Sequence, residues 1–174
     1  MTRVLLDEII HTAYGQFEII WDESTWDGDP DVAFAGQSNG LVGAASGGNV
    51  FLTLGRYGGG FLVRIERSAT VPPVDESWED CVEVSITVPA GRDVQWASWA
   101  GESYGKLDLP PDSYRLRVSS RGRDLALNSE FAPEVVDFYL LQLWPEAPST
   151  DAIVRVGSRD AEYFHEAWGN RRQV

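Results

Sequence analysis

The sequence has very little of the chemistry on which catalytic and metal centres usually rest. It holds one cysteine, Cys81, and two histidines, His11 and His165. A single cysteine excludes an intrachain disulfide. No H-x-H, H-E-x-x-H or C-x-x-C spacing occurs, so neither zinc nor any other cofactor is called for. A nucleophile–base–acid triad needs a histidine oriented by a third group. His11, flanking the first strand, and His165, beside Phe164, offer no such pattern. Cys81 opens an alternating apolar run and reads as a small core residue rather than a nucleophile. Lysine is reduced to Lys106, a bias that codon usage or a salt-rich habitat would each produce. No run approaches the ~18 apolar residues of a membrane helix. The N-terminus shows neither a hydrophobic signal core nor a small-residue cleavage site, so the expected location is cytoplasmic. There is no internal repeat and no low-complexity tract.

The 174 residues suffice for a single domain with its own core, expected to span 1–174. Acidic residues number 27 against 14 basic ones, for a net charge of −13. Affinity for nucleic-acid phosphate comes from lysine and arginine, so direct DNA or RNA binding is disfavoured. An anionic membrane surface is disfavoured for the same reason. The charge suits a basic protein partner such as a nuclease or toxin, although solubility alone also accounts for it. Seven Trp, six Tyr and seven Phe favour strands and large buried areas.

Period-two alternation confirms that lean. In Cys81–Val88, residues Val82, Val84, Ile86 and Val88 share one face, while Glu83, Ser85 and Thr87 share the other. Ser113–Ser119 repeats the pattern with Tyr114, Leu116 and Val118 inward and Arg115 and Arg117 outward, after the Pro110-Pro111 turn. An opening strand over Ala13–Trp21 places Phe17, Ile19 and Trp21 together. Asn49–Tyr57 and Phe61–Arg67 read as a hairpin across Gly58-Gly59-Gly60. Val135–Trp144 is apolar on both faces, as a central strand would be, and Pro145 ends it. After a short strand at Ile153–Val156, Ser158 caps a helix expected to bury Tyr163, Phe164, Ala167 and Trp168, closed by Gly169. The expected fold is all-β: an antiparallel two-sheet β-sandwich of about eight to ten strands with one short C-terminal helix.

Four segments merit a functional reading. Gly36-Gln37-Ser38-Asn39-Gly40 matches G-x-S-x-G, but a nucleophile elbow needs a helix next, and Leu41–Gly48 makes none. Asp27-Gly28-Asp29-Pro30-Asp31 alternates carboxylates as calcium loops do, yet Val32 and Ser38 replace the required glycine and glutamate. With Asp22 and Glu23, these acids form one exposed acidic cluster. A second is Asp75-Glu76-Ser77-Trp78-Glu79-Asp80, where Trp78 is either an anchor set among steering charges or a core residue. Partner contact is expected at Asp22, Glu23, Asp27, Asp29, Asp31, Asp75, Glu76, Trp78, Glu79 and Asp80. Carboxylates are too numerous for spacing to single out a glycosidase pair. By parity, Trp96 and Trp99 cannot both share a strand face. This leaves a carbohydrate or small-ligand module with exposed Trp as the alternative to an acidic, non-catalytic binding protein.

Ala13-Tyr14-Gly15-Gln16-Phe17-Glu18-Ile19 resembles the opening strand of the competence protein J family, small bacterial proteins that inhibit a partner nuclease. Leu109-Pro110-Pro111-Asp112-Ser113-Tyr114-Arg115-Leu116, followed by Tyr139-Leu140-Leu141, is similar to that family's closing strands. The chain also resembles uncharacterised bacterial β-rich proteins with Gly36-Gln37 and Asn39-Gly40-Leu41 at this point. The first resemblance implies an all-β fold and an acidic face that blocks a basic nuclease; it supplies no inhibitory residue and no counterpart of the C-terminal helix.

Overall fold

The computed structural model describes residues 1–25, 28–129 and 132–169. Two sheets face each other. The larger runs in the order β1 (Thr2–Thr12), β5 (Gly59–Ser68), β10 (Phe138–Pro145), β9 (Asp112–Arg121), β6 (Asp80–Val88) and β11 (Ala152–Arg155). The smaller runs β3 (Val42–Gly43), β4 (Asn49–Thr53), β2 (Gln16–Ile20), β7 (Val94–Ser98) and β8 (Tyr104–Leu107). The expected two-sheet, all-β architecture is present. Its expected antiparallel character needs correction, because β10 runs parallel to β5, with Tyr139 opposite Val63. Parallel neighbours need a long connection, and β6 to β9 lie between these two in the chain.

Alternation placed the core correctly. Phe17, Ile19, Val50 and Leu52 from the smaller sheet meet Val63, Ile65, Val82, Val84, Leu116, Leu141 and Leu143 from the larger one, all buried. Each such side chain contributes roughly 1.5–3 kcal/mol relative to exposure. Trp96 joins this core from β7 together with Val94 and Ser98, while Trp99 leaves the strand for a 3₁₀ turn.

Several expectations change for physical reasons. The opening strand is β1, whose mostly exposed edge position obscures its alternation. Asn49–Tyr57 and Phe61–Arg67 form no hairpin. β4 and β5 belong to different sheets, and Leu54–Gly58 carries the chain across the open end between them. Arg115 and Arg117 do lie on the outer face of β9, yet they are buried. Glu83 lies between them, accepting from Arg115 Nε at 3.3 Å and Arg117 Nε at 3.0 Å. Their remaining donors reach the carbonyls of Ser149, Thr150, Pro72 and Pro73, on segments that cover this face.

Among the described residues the α-helices are α1 (Pro30–Ala33), α2 (Arg123–Leu127) and α3 (Arg159–Phe164), the last continuing as a π turn over His165–Gly169, and short 3₁₀ turns add Glu23–Thr25 and Trp99–Gly101. Ser158 caps α3 as expected, its Oγ accepting from Ala161 N at 3.0 Å. The buried stripe is shifted, however. Asp160, Ala161 and His165 face inward and Tyr163 points to solvent. Trp168 instead packs with Ala33, Phe34 and Phe51 in a second small core on the outside of β4. No helix among the described residues is long and apolar enough to cross a membrane.

Asp80 fixes how α3 joins the larger sheet. It is buried and accepts from Gly157 N, Ser158 N and Ser158 Oγ at 2.8, 3.0 and 2.7 Å. Asp80→Ala should therefore cost at least about 3 kcal/mol in urea unfolding, since it strands buried donors that had a charged acceptor. A change below about 1 kcal/mol would show that the turn does not depend on this carboxylate.

Candidate functional site

The two acidic segments stand far apart. Asp75–Asp80 leads into the first residue of β6, whereas Asp22 bonds Arg92, which follows the last, at 3.4 Å. Nine extended residues separate them by about 25–30 Å. Asp22 also accepts from Ser24 Oγ at 2.6 Å and Ser24 N at 3.1 Å, and these bonds hold its carboxyl below the usual range. Glu23 and Asp31 are exposed; Asp29 caps α1 by accepting from Asp31 N at 2.8 Å. Asp27 lies outside the described residues. In the second segment Asp75 and Glu76 are exposed, and Asp75 accepts from Ser77 N. Glu79 accepts from Gly122 N at 3.0 Å, and Asp80 is the buried α3 anchor already described. Trp78 is half-buried beneath the Arg121 guanidinium, which lies 4.9 Å from its ring and 4.8 Å from that of Phe138. Among the described tryptophans, Trp21, Trp96 and Trp144 are buried and none is fully exposed. No group of three His, Cys, Asp or Glu side chains among the described residues could hold a metal ion.

Gly36–Gly40 does not form a nucleophile elbow. It is a turn that enters β3, and Asp151 gathers it by accepting from the backbone of Ser38 and Asn39 and from Asn39 Nδ2 at 2.8–3.1 Å. His165 is buried, and Gly40 N donates to its Nδ1 at 3.0 Å. The imidazole is thus neutral with its proton on Nε2, and burial holds its proton affinity below the usual value.

A site that sequence reasoning missed lies at the end of the sandwich crossed by Leu54–Gly58. Tyr14 and Gly15 both take positive φ, 59° and 61°. Two successive left-handed residues make a tight turn that normally carries Asn or Gly, so an aromatic there is strained. The turn is held by Gly15 N donating to Tyr57 O at 2.8 Å and Leu54 N donating to Gly15 O at 2.9 Å. Tyr14 is thereby set 4.5 Å from the Trp99 ring and 5.2 Å from the Tyr57 ring. Trp99 is followed by Ala100, the only other non-glycine with positive φ among the described residues. Tyr14 and Tyr57 flank a groove of about 350 Å³ whose further lining includes Leu127, Phe164, Trp168 and Asp160.

Beneath the groove lie two buried ion pairs. Arg123 donates from Nε to Asp160 Oδ2 at 2.9 Å and from Nη1 to Thr53 O at 2.9 Å, with its guanidinium over Tyr139 and Phe164. Gly55 must be glycine, because a Cβ there would stand 2.7 Å from the Arg123 Cα. Arg56 donates to the carbonyls of Ala132 and Glu134, and its Nε lies 3.7 Å from Asp137 Oδ1. Asp137 Oδ2 accepts from Tyr139 Oη at 2.8 Å, and that hydroxyl accepts from Gly55 N. Burial outweighs the pairing and raises the proton affinity of Asp137, Asp160 and, strongly, Tyr139. The one legible sign of this network was Asp137, a lone charge inside the apolar run Val135–Trp144.

A raised carboxyl value means that ionisation of Asp137 opposes folding: its contribution is favourable below the usual carboxylate range and lost as pH rises through the folded-state value. Arg56→Met, which leaves that carboxylate alone, should cost about 3–5 kcal/mol near neutral pH. The gap from the unaltered protein should narrow as pH falls and Asp137 takes up a proton. Chemical unfolding at a series of pH values measures this, and a gap independent of pH would refute the assignment. His165 has the opposite sign: its contribution is complete above the usual imidazole value and lost as pH falls through the lower folded value.

Comparison with known proteins bears on the fold. No protein-family model and no curated protein matches the chain. Among solved structures, it is similar to ComJ, inhibitor of the DNA degrading activity of NucA, from Bacillus subtilis, with a TM-score of 0.57 and 18% identity over 84% of this chain and 99% of that one. The product of crocagin biosynthetic gene J aligns with a TM-score of 0.52 and 17% identity over the same shares. At this identity the likeness establishes a shared fold.

Proposed function

We propose that residues 1–174 act as one acidic, non-catalytic binding module that occupies a basic protein partner, in the manner of a nuclease inhibitor or immunity protein. The observation that carries this reading is the way charge is divided between interior and surface. Arg56, Arg115, Arg117 and Arg123 are buried. Arg3, Arg64 and Arg92 are engaged with Asp108, Asp7 and Asp22. Carboxylates such as Glu8, Glu23, Asp29, Asp31, Asp75, Glu76, Asp93 and Glu102 stay on the surface. That surface repels phosphate and attracts a cationic protein face. The fold shared with ComJ, a protein described as inhibiting a DNA-degrading activity, is compatible with this role. Asp22, Glu23, Asp29 and Asp31 at one end, and Asp75, Glu76 and Glu79 at the other, would steer approach; Trp78, already engaged by Arg121, would add a ring contact.

The test is a titration of the purified protein against each nuclease encoded in the same genome, read as the rate of DNA degradation. One nuclease should lose activity at an equimolar ratio. Its association rate should fall by about tenfold or more between low and physiological salt, where exposed charges are screened within about 8–10 Å. Glu23→Gln with Asp93→Asn should slow association and leave the melting curve in place, because exposed carboxylates contribute little to stability. Failure to inhibit any nuclease, or inhibition indifferent to salt, would overturn the reading.

A further inference from the structure

We propose that the outer edge of β1 pairs antiparallel with the same edge of a second copy of this chain, with Ile9 on the twofold axis. This goes beyond the inhibitory role and does not depend on it.

β1 ends the larger sheet, with β5 as its neighbour. Among the described residues, no backbone hydrogen bond joins it to an element other than β5. Alternate residues of a strand turn their N–H and C=O groups to opposite edges, so about half of those on β1 are open to a further strand. Sheet edges are commonly protected by being short, irregular or lysine-bearing. The other three edges here are of that kind. β3 has two residues, β8 has four and carries Lys106, and β11 has four with a break in register between Ile153 and Arg155. β1 has eleven, with neither lysine nor proline.

The sequence of this edge selects one register. The pairing of β1 with β5 shifts between Val4 and Leu6, which leaves residues 6–12 regular, and Ile9 is their midpoint. A twofold axis normal to the sheet keeps each side chain on its own face and sets one residue opposite its own copy. Centring on Asp7 or on Glu8 would oppose that carboxylate to itself, and like charges directly opposite are destabilising. Centring on Ile9 engages the whole regular run. It sets Asp7 opposite His11, Glu8 opposite Ile10 and Leu6 opposite Thr12, with no like pair.

Ile9 also ends an apolar row. Leu6 and Ile10 face the core, whereas Ile9 stands on the outer face and is 57% exposed. Leu62 lies beside it on β5, and Phe138 beside Leu62 on β10, both half-buried. Across the axis this row would continue into its own copy and cover Ile9 on the side where β1 has no neighbouring strand. Opposing the contact is the net charge of −13 on each copy. Pairing should therefore tighten as salt screens that repulsion, the opposite sign to capture of a basic partner.

The test is sedimentation velocity of the full chain from micromolar to millimolar concentration. A particle of twice the chain mass should grow with concentration, and its Kd should fall at least threefold between low and physiological salt. Ile9→Asp should weaken association at least tenfold and leave the melting curve in place, because the side chain is largely exposed in the single copy. Disulfide trapping reads the register. Ile9→Cys should cross-link to itself under mild oxidation. A mixture of Asp7→Cys with His11→Cys should do so as well, while neither of these alone should. The native Cys81 is buried and should give no cross-link. A chain that stays monomeric at millimolar concentration, association indifferent to Ile9→Asp, or equally efficient trapping through Ile153→Cys on the opposite edge would overturn the inference.

Discussion

The architecture at one end of the sandwich depends on neutralising charge in a dry interior. Arg56 and Asp137 are both fully buried, and Arg123 with Asp160 nearly so. A lone charge there would cost several kcal/mol, so neither arginine can be placed without its carboxylate. The pairs bring together β4, the crossing segment, β10, α2 and α3, which no continuous sheet could join. Apolar packing alone would tolerate small shifts among these elements; directional donors from two guanidinium forks do not. The Gly55 N–Tyr139–Asp137 chain extends the same constraint to the backbone of the crossing segment. Through Tyr57 O it reaches the Tyr14–Gly15 turn.

This explains which parts of the fold were legible in the sequence. Strands covered on one face announce themselves by alternation, and β2, β6 and β9 were found that way. β10 revealed its central position by being apolar throughout. β1 did not, because an edge strand lacks a second neighbour and its face pattern is weak. The false hairpin arose because three glycines permit a tight turn equally well when the strands they separate go to different sheets. Arg115 and Arg117 were correctly assigned to the outer face, but the sequence could not show that the segments around Pro72 and Ser149 fold over it. Burial there is decided by chain segments distant in sequence.

The groove was illegible for the same reason. Its walls come from the β1–β2 turn, the crossing segment, α2 and the π turn, and no short motif spans them. Acidic clusters are conspicuous in a sequence because their members are adjacent, which is a property of the list rather than of the surface. Folded, the two clusters stand at opposite ends of β6, and Asp80 turns inward to hold α3. The aromatic count hinted that not every ring could be in one core, and the parity of Trp96 and Trp99 made that explicit: Trp96 went inward and Trp99 to the Tyr14 contact.

Burying arginines and exposing carboxylates are two sides of one arrangement. Each guanidinium taken inside needs an acceptor, and the chain supplies some of these as backbone carbonyls: Thr53, Ala132 and Glu134 at the groove end, Pro72, Ser149 and Thr150 on the outer face of β9. A carbonyl satisfies a donor without consuming a carboxylate. Interior arginines are therefore met partly by neutral groups, and carboxylates that full pairing would have taken remain outside. The fold is held at its open end by cations turned inward, and its exposed carboxylates stay on the surface. At the groove the same economy shows: the balanced Arg123–Asp160 pair beneath sets the position of Phe164, and the turn above holds Tyr14 against Tyr57 and Trp99.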